Sequence, residues 1–137
     1  MEKNYFKKII VQSAGDLNFI SMCVSGGKVK LSDIKYLPKS KIFLLLINRP
    51  INEDERTKRT ERIDSIVSFY YIQSSKSKNI DQNNKDLVLE LTAIDVFKVK
   101  NNYKIVIVFT SDRFITLVAE AIESKLDDQR LINDKNT

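Results

Sequence analysis

The sequence has 137 residues and a mass of 15.9 kDa, with 42% hydrophobic and 30% charged side chains. This is the size and balance of one globular domain, which buries about two thirds of its unfolded surface without a disulfide or metal staple. No histidine, one cysteine and three glycines exclude Ser-His or Cys-His nucleophile pairs, imidazole or multi-thiolate metal sites, and Gly-rich phosphate loops. The net charge is +5 and lies wholly in the first half. Residues 1–64 carry 13 basic and 8 acidic side chains, residues 65–137 carry 10 of each.

The opening MEKNYFKKIIVQ has lysines but no apolar h-region and no small-residue cleavage site, which argues against a signal peptide. The longest apolar run, residues 42–47, is far short of the about 20 residues of a membrane span. Cys23 is alone among apolar neighbours and reads as a buried reduced thiol. The expectation is a cytoplasmic chain with no membrane contact.

Residues 6–11 read as a short strand. Asp16 is a candidate helix cap, and Leu17, Ile20 and Val24 recur at three and four, which predicts a short amphipathic helix ended by Gly26-Gly27. From Lys28 the period becomes two, with an interruption at Ser32-Asp33. A turn at residues 38–41 and an apolar strand over 42–48 complete a hairpin. Residues 50–62, PINEDERTKRTER, have no apolar stripe and predict a long exposed hairpin loop. Residues 63–72 are β-branched and aromatic, hence a strand. Residues 74–86 are nearly free of apolar groups and predict a mobile loop. Leu87, Leu89, Leu91 and Ala93 alternate, and the parity then slips toward Ile94 and Val96, which predicts a strand with a bulge. Asparagines at 101–102 and Ser111-Asp112-Arg113 predict tight turns around a strand over 103–110 and another from Phe114. Val118, Ala121, Ile122, Lys125 and Leu126 fit a C-terminal helix, and residues 129–137 a frayed tail.

The predicted class is α+β in a single domain over residues 1–137. It has a strongly bent antiparallel sheet of six or seven strands, a short helix near the N-terminus and a C-terminal helix. Such a half-barrel fits a pleckstrin-homology-like architecture by analogy.

Several motifs add a family resemblance. They are Asp33-Ile34-Lys35-Tyr36-Leu37-Pro38, Phe43 and Asn48-Arg49. The Arg56/Arg59 loop leads on to Ile63-Asp64 and Val67, and the chain closes with residues 115–123, ITLVAEAIE. Together they resemble a bacterial single-domain family of unknown function over residues 16–128. Its members tend to carry an aromatic pair after the Asn-Arg, where this chain has Pro50-Ile51. The resemblance implies no activity, cofactor or catalytic residue.

Four constellations remain. Arg49, Arg56, Lys58, Arg59 and Arg62 form a basic loop whose guanidinium forks suit phosphate or carboxylate oxygens. Glu53, Asp54, Glu55 and Glu61 lie among them, as in a solvated, salt-bridged hairpin. Lys28, Lys30, Lys35, Lys39 and Lys41 share a hairpin. They either protect a sheet edge or, with Tyr36 as a stacking ring, contact nucleic acid. Phe69-Tyr70-Tyr71 should expose one tyrosine. Asp95, Glu120, Glu123 and Asp127 could hold Mg²⁺ or supply an acid/base pair, or simply form a charged helix face. The leading expectation is a non-enzymatic protein-binding or self-associating module, needing no cofactor and no metal. The alternative is anionic-ligand or RNA binding through the basic loop and the lysine hairpin, with Arg49, Arg56, Lys58, Arg59, Arg62, Lys39, Lys41 and Tyr36 as site residues.

Overall fold

The computed structural model describes residues 6–54 and 59–132, apart from the side chains of residues 52–60. Within it, one helix and ten strands follow in the order β1 (Lys8–Val11), α1 (Ala14–Val24), β2 (Lys28–Lys30), β3 (Ile34–Leu37), β4 (Ile42–Asp54), β5 (Arg59–Phe69), β6 (Ile72–Lys78), β7 (Val88–Val99), β8 (Asn102–Phe109), β9 (Arg113–Ala119) and β10 (Ser124–Ile132). All pairings are antiparallel, as short turns between successive strands require. The sheet order is β1-β10-β5-β4-β2-β7-β8-β9-β6, with β3 added beside β4. The order ends at β1 and β6, so the sheet is not closed.

The helix forms where the three-four spacing predicts it. Leu17, Ile20 and Val24 are buried on one face, against β7 and β4. Its cap is Ser13 rather than Asp16. The Ser13 hydroxyl accepts from the Asp16 backbone N–H at 3.1 Å, one turn earlier than the sequence suggests. Gly26 then turns the chain at φ +84°, and Gly27 lets the helix end lie on β4. A Cβ at Gly27 would stand 2.9 Å from the Val24 carbonyl oxygen and closer still to the buried Ile47.

The Ser32-Asp33 interruption is a 3-10 turn over Leu31–Asp33. It divides one stretch of alternating residues into β2, which joins the two halves of the sheet by pairing with both β4 and β7, and β3, which pairs only with β4. The parity slip in β7 is a bulge between Leu91 and Ala93. Inner rows of cross-strand partners, such as Leu45, Val67 and Leu126, or Phe43 and Phe69, build the core. Phe43 and Phe69 stack tilted with ring centroids 6.3 Å apart.

Three expectations are corrected. The C-terminal helix does not form. β9 runs to Ala119, and residues 124–132 are β10, laid between β1 and β5. Ser124 and Leu126 face inward with Lys125 between them, so the same residues satisfy a period of two. An unpaired edge on β5 would leave a row of backbone groups without partners, which decides for the strand. Residues 129–132 belong to this strand and are not frayed; residues 133–137 lie outside the described residues. Second, the 50–62 loop is mostly strand. β4 and β5 pair from Phe43–Phe69 out to Asp54–Arg59, with a bulge between Pro50 and Asn52. A ribbon that satisfies its own backbone needs no apolar stripe. Third, the apolar-poor 74–86 stretch contains most of β6, an edge strand on β9. β10 and β6, with the division of residues 28–37 into β2 and β3, raise the count from six or seven strands to ten. No helix of the described residues is long and apolar enough to cross a membrane.

Two chain crossings carry the sheet from one half to the other, β5 to β6 through Tyr70-Tyr71 and β9 to β10 through residues 120–123. They lie side by side. Tyr70 N–H donates to the Glu123 carbonyl at 3.0 Å, Glu120 N–H to the Tyr71 carbonyl at 2.9 Å, and Ile72 N–H to the Lys41 carbonyl at 2.9 Å. Tyr71 turns the corner at φ +62°, and its ring is the exposed one of the pair, while Phe69 is buried.

Candidate functional site

The arginines expected to form one anion clamp are separated. Arg49 occupies an inward position of β4, the next after Phe43, Leu45 and Ile47, and is 2% exposed. Its Nε donates to Ser65 Oγ and to Asp128 Oδ1, both at 3.1 Å, and Nη2 donates to Asp128 Oδ2 at 2.8 Å. Ser65, in register with both Ile47 and Asp128, is small enough to leave this space and donates its hydroxyl to Asp128 Oδ1 at 2.6 Å. The Lys7 N–H adds a bond to Oδ2 at 2.7 Å, and Asp128 N–H returns one to the Lys7 carbonyl at 3.0 Å. Burial pushes the Asp128 carboxyl up, but the hydrogen bonds from Arg49, Ser65 and Lys7 outweigh it and hold the group below its ordinary value. This bidentate pair ties β4, β5 and β10 to one another and to the residue before β1, and offers no free fork to a ligand.

Arg62 is likewise structural. Its Nη2 donates to the carbonyls of Gly26 at 3.0 Å and Asn48 at 3.1 Å, and its Nε to Asn48 Oδ1, clamping the end of α1 to β4. The Arg59 backbone pairs with Asp54, its side chain is outside the description, and Arg56 and Lys58 lie outside the described residues.

Lys39 and Lys41 lie at the β3–β4 turn, in a recess of about 430 Å³ with Tyr70, Tyr71, Glu120 and Glu123. Lys41 pairs with Glu120 at 2.8 Å, and Gln73 donates to the same carboxylate at 3.1 Å. Both bonds, that from Lys41 first, keep the Glu120 carboxyl below its usual range. The helical face that would have aligned Glu120, Glu123 and Asp127 does not exist, and Asp95 stands exposed on β7. Lys28 and Lys30 flank buried Val29 with their side chains exposed, as the alternation predicts.

Tyr36 leads to a different site. Its hydroxyl donates to the Ile72 carbonyl at 3.1 Å, bridging from β3 to the start of β6. These are the two strands with a free edge facing each other, since β3 pairs only with β4 and β6 only with β9. At the other end the gap is closed by Ser32 N–H to the Lys85 carbonyl at 3.2 Å and Leu31 N–H to the Leu87 carbonyl at 2.8 Å. Bounded on four sides, this opening in the sheet is a cleft of about 490 Å³.

The cleft lining divides into a buried apolar floor and a more exposed polar margin. Leu31, Phe43 and Ile115, each at most 6% exposed, form the floor with half-buried Ile34 and the Tyr36 ring. Ser32, Ser75, Ser77 and Gln82 line the wall with hydroxyl and amide groups. Lys35 and Lys85 supply the charge, and no carboxylate lines the cleft. Among the described residues the ion pairs are Lys41–Glu120, Arg49–Asp128 and Arg130–Asp64, and neither Lys35 nor Lys85 is in one. Ser75 and Ser77 are the register partners of Leu117 and Ile115 and so share their inward face. At those two positions an apolar residue would extend the core, and serine instead makes the wall polar.

Sequence reasoning placed Tyr36 and Lys35 correctly on a strand but missed Ser75, Ser77, Gln82 and Lys85, which fall in the stretch read as a loop. A signal was present. Ser75-Lys76-Ser77-Lys78 alternates with a period of two, the pattern of a strand with one polar and one charged face.

A family model described as a protein of unknown function (DUF2948) matches residues 8–135. It covers nearly the whole chain, and the chain belongs to that family. No curated protein and no solved structure gives a significant match.

Proposed function

We propose that this member of a family of unknown function is a non-catalytic, cytoplasmic binding module, and that it takes a small anionic ligand in the cleft between β3 and β6. The observation that carries the reading is the lining. Two lysines and a set of neutral hydrogen-bonding groups surround an apolar floor, with no acid among them. A volume of about 490 Å³ is within the range of small-molecule sites, and its lining is divided between apolar residues and polar or charged ones. The anion-binding reading of the sequence is kept, but its place moves. Arg49 and Arg62 are committed to Asp128, Gly26 and Asn48, while the cleft lysines have no such acidic partner among the described residues. The absence of histidine and the separation of Asp95 from Glu120 and Glu123 support a binding role over acid/base catalysis.

The test is backbone amide NMR with a panel of small phosphates, sulfonates and carboxylates. Saturable shifts confined to β3, β6 and residues 79–87 are expected. Shifts confined to the 49–62 hairpin, or none with any anion, would overturn the proposal.

A second reading, a protein partner or homodimer, is favoured by Phe19 and Met22. They are 60% and 75% exposed and lie three apart on the outer face of α1. Sedimentation that shifts to a dimer with concentration, and returns to monomer in Phe19→Ser/Met22→Ser, would support it. A monomer at every concentration would remove the self-associating form.

A further inference from the structure

We infer that the ligand is an amphiphilic carboxylate, an alkyl or aryl chain ending in one carboxyl group, bound with its apolar body inward. The inference rests on the cleft being the binding site and adds the chemistry of the occupant. The lining is ordered by depth. Leu31, Phe43 and Ile115 are buried beneath the opening, and burying apolar ligand surface against them is worth roughly 25 cal/mol per Å². Lys35 and Lys85 are exposed and stand at the rim, where an ammonium keeps its hydration until a charge-assisted hydrogen bond replaces it.

A polyanion fits this arrangement poorly. Among the described residues no arginine lines the cleft, and the planar fork that matches phosphate geometry is therefore missing. A hydrophilic sugar phosphate or nucleotide would leave Leu31, Phe43 and Ile115 without apolar contact, and any of its polar groups seated on them would be desolvated at a cost. Ser75 is half-buried and Ser77 exposed; both line the cleft, and their hydroxyls can donate to the carboxylate alongside a lysine. The window is closed at both ends, by Tyr36–Ile72 and by Ser32–Lys85. It therefore suits a ligand that enters end-on rather than a strand that runs through.

The experiment is titration of the intact chain with octanoate and with 3-phenylpropionate, followed by backbone amide NMR and calorimetry. Their neutral amides, octylamine, inorganic phosphate and adenosine monophosphate serve as controls. At neutral pH at least one carboxylate should saturate the cleft, with its amide at least about tenfold weaker, a difference of one charged hydrogen bond. Lys35→Gln/Lys85→Gln should weaken the carboxylate about tenfold or more and leave the amide unchanged. Ser77→Phe, at an exposed inward position of β6, should block both, with thermal unfolding confirming that each variant folds. Equal binding of acid and amide would overturn the inference, because the rim charge would then have no role. Cleft shifts with phosphate or adenosine monophosphate, and none with the carboxylates, would also overturn it while leaving a small anion in the cleft. Cleft shifts with neither class would remove both proposals.

Discussion

Arg49 and Lys35 stand on neighbouring strands of one hairpin, β4 and β3, and their surroundings differ in kind. Around Arg49 the fold supplies a carboxylate at 2.8 Å, a serine hydroxyl at 3.1 Å and a backbone N–H on the same carboxylate. Three strands and the residue before β1 converge on that one ion pair. The cleft that Lys35 lines holds hydroxyls, an amide, a second lysine and an apolar floor, with no acid in the lining. A buried cation without a partner would be costly, so Arg49 is matched within the chain. An exposed lysine at the rim of a cleft is solvated and can wait for a partner from outside. Charge used for folding and charge available for binding are thus separated by burial, and each can be perturbed without the other.

The largest effect is expected at Arg49. Arg49→Met leaves Asp128 buried without its cation and should destabilise the domain by about 3–5 kcal/mol, measured by chemical denaturation. Arg49→Met/Asp128→Leu should recover most of that loss, because the cost lies in the orphaned charge. A double variant as unstable as the single would show that the pair contributes through its own attraction.

Acid should act at the same place. The Asp128 carboxyl is held below its ordinary value in the fold. Its contribution to stability is therefore complete above the unfolded value of about 3.9 and is lost as pH falls through the lower folded value. Unfolding midpoints should decline below about pH 4, and Asp128→Asn should flatten that decline while lowering stability at neutral pH. An unchanged acid limb in Asp128→Asn would place the acid sensitivity elsewhere.

The same contrast explains what could be read from the sequence. The alternation Lys28-Val29-Lys30 and the spacing of Leu17, Ile20 and Val24 each bury one face against the core and form as expected, and the slip expected after Ala93 is a bulge slightly earlier, between Leu91 and Ala93. Elements whose residues meet solvent or a cleft are harder to read, because the hydrophobic pattern is then missing. β6 places serines inward and lysines outward, and the outer β4–β5 ribbon is held by its own backbone pairing rather than by an apolar stripe. Toward the C-terminus both periods were available to Ile122, Lys125 and Leu126, and only the vacancy between β1 and β5, a long-range fact, chooses the strand β10. The candidate site fell in the least legible part for the same reason. A polar-walled cleft is a departure from core patterning, while the arginines that look most like a site, Arg49 and Arg62, are distinguished as structural only by Asp128, 79 residues away, and by the carbonyls of Gly26 and Asn48.

A smaller effect is expected at Tyr36, where the two regions meet. Tyr36→Phe removes the hydrogen bond to the Ile72 carbonyl and keeps the ring on Phe43, whose centroid lies 6.4 Å away. The loss should be about 0.5–1.5 kcal/mol, with faster amide exchange at the start of β6 as its local signature. Exchange unchanged there would mean that the bridge does not close that end of the cleft.

The smallest effect on stability, and the sharpest test of the separation, is expected at the rim. Lys35→Gln and Lys85→Gln remove charges that the described fold does not pair, so each should change stability by no more than about 0.5 kcal/mol. Each should nevertheless weaken a cleft-bound anion, and more so at low ionic strength, where an exposed charge acts over a longer screening distance. A loss of stability comparable to that of Arg49→Met would mean that these lysines also hold the fold together. The cleft would then be a tensioned seam in the sheet rather than a vacancy kept for a ligand.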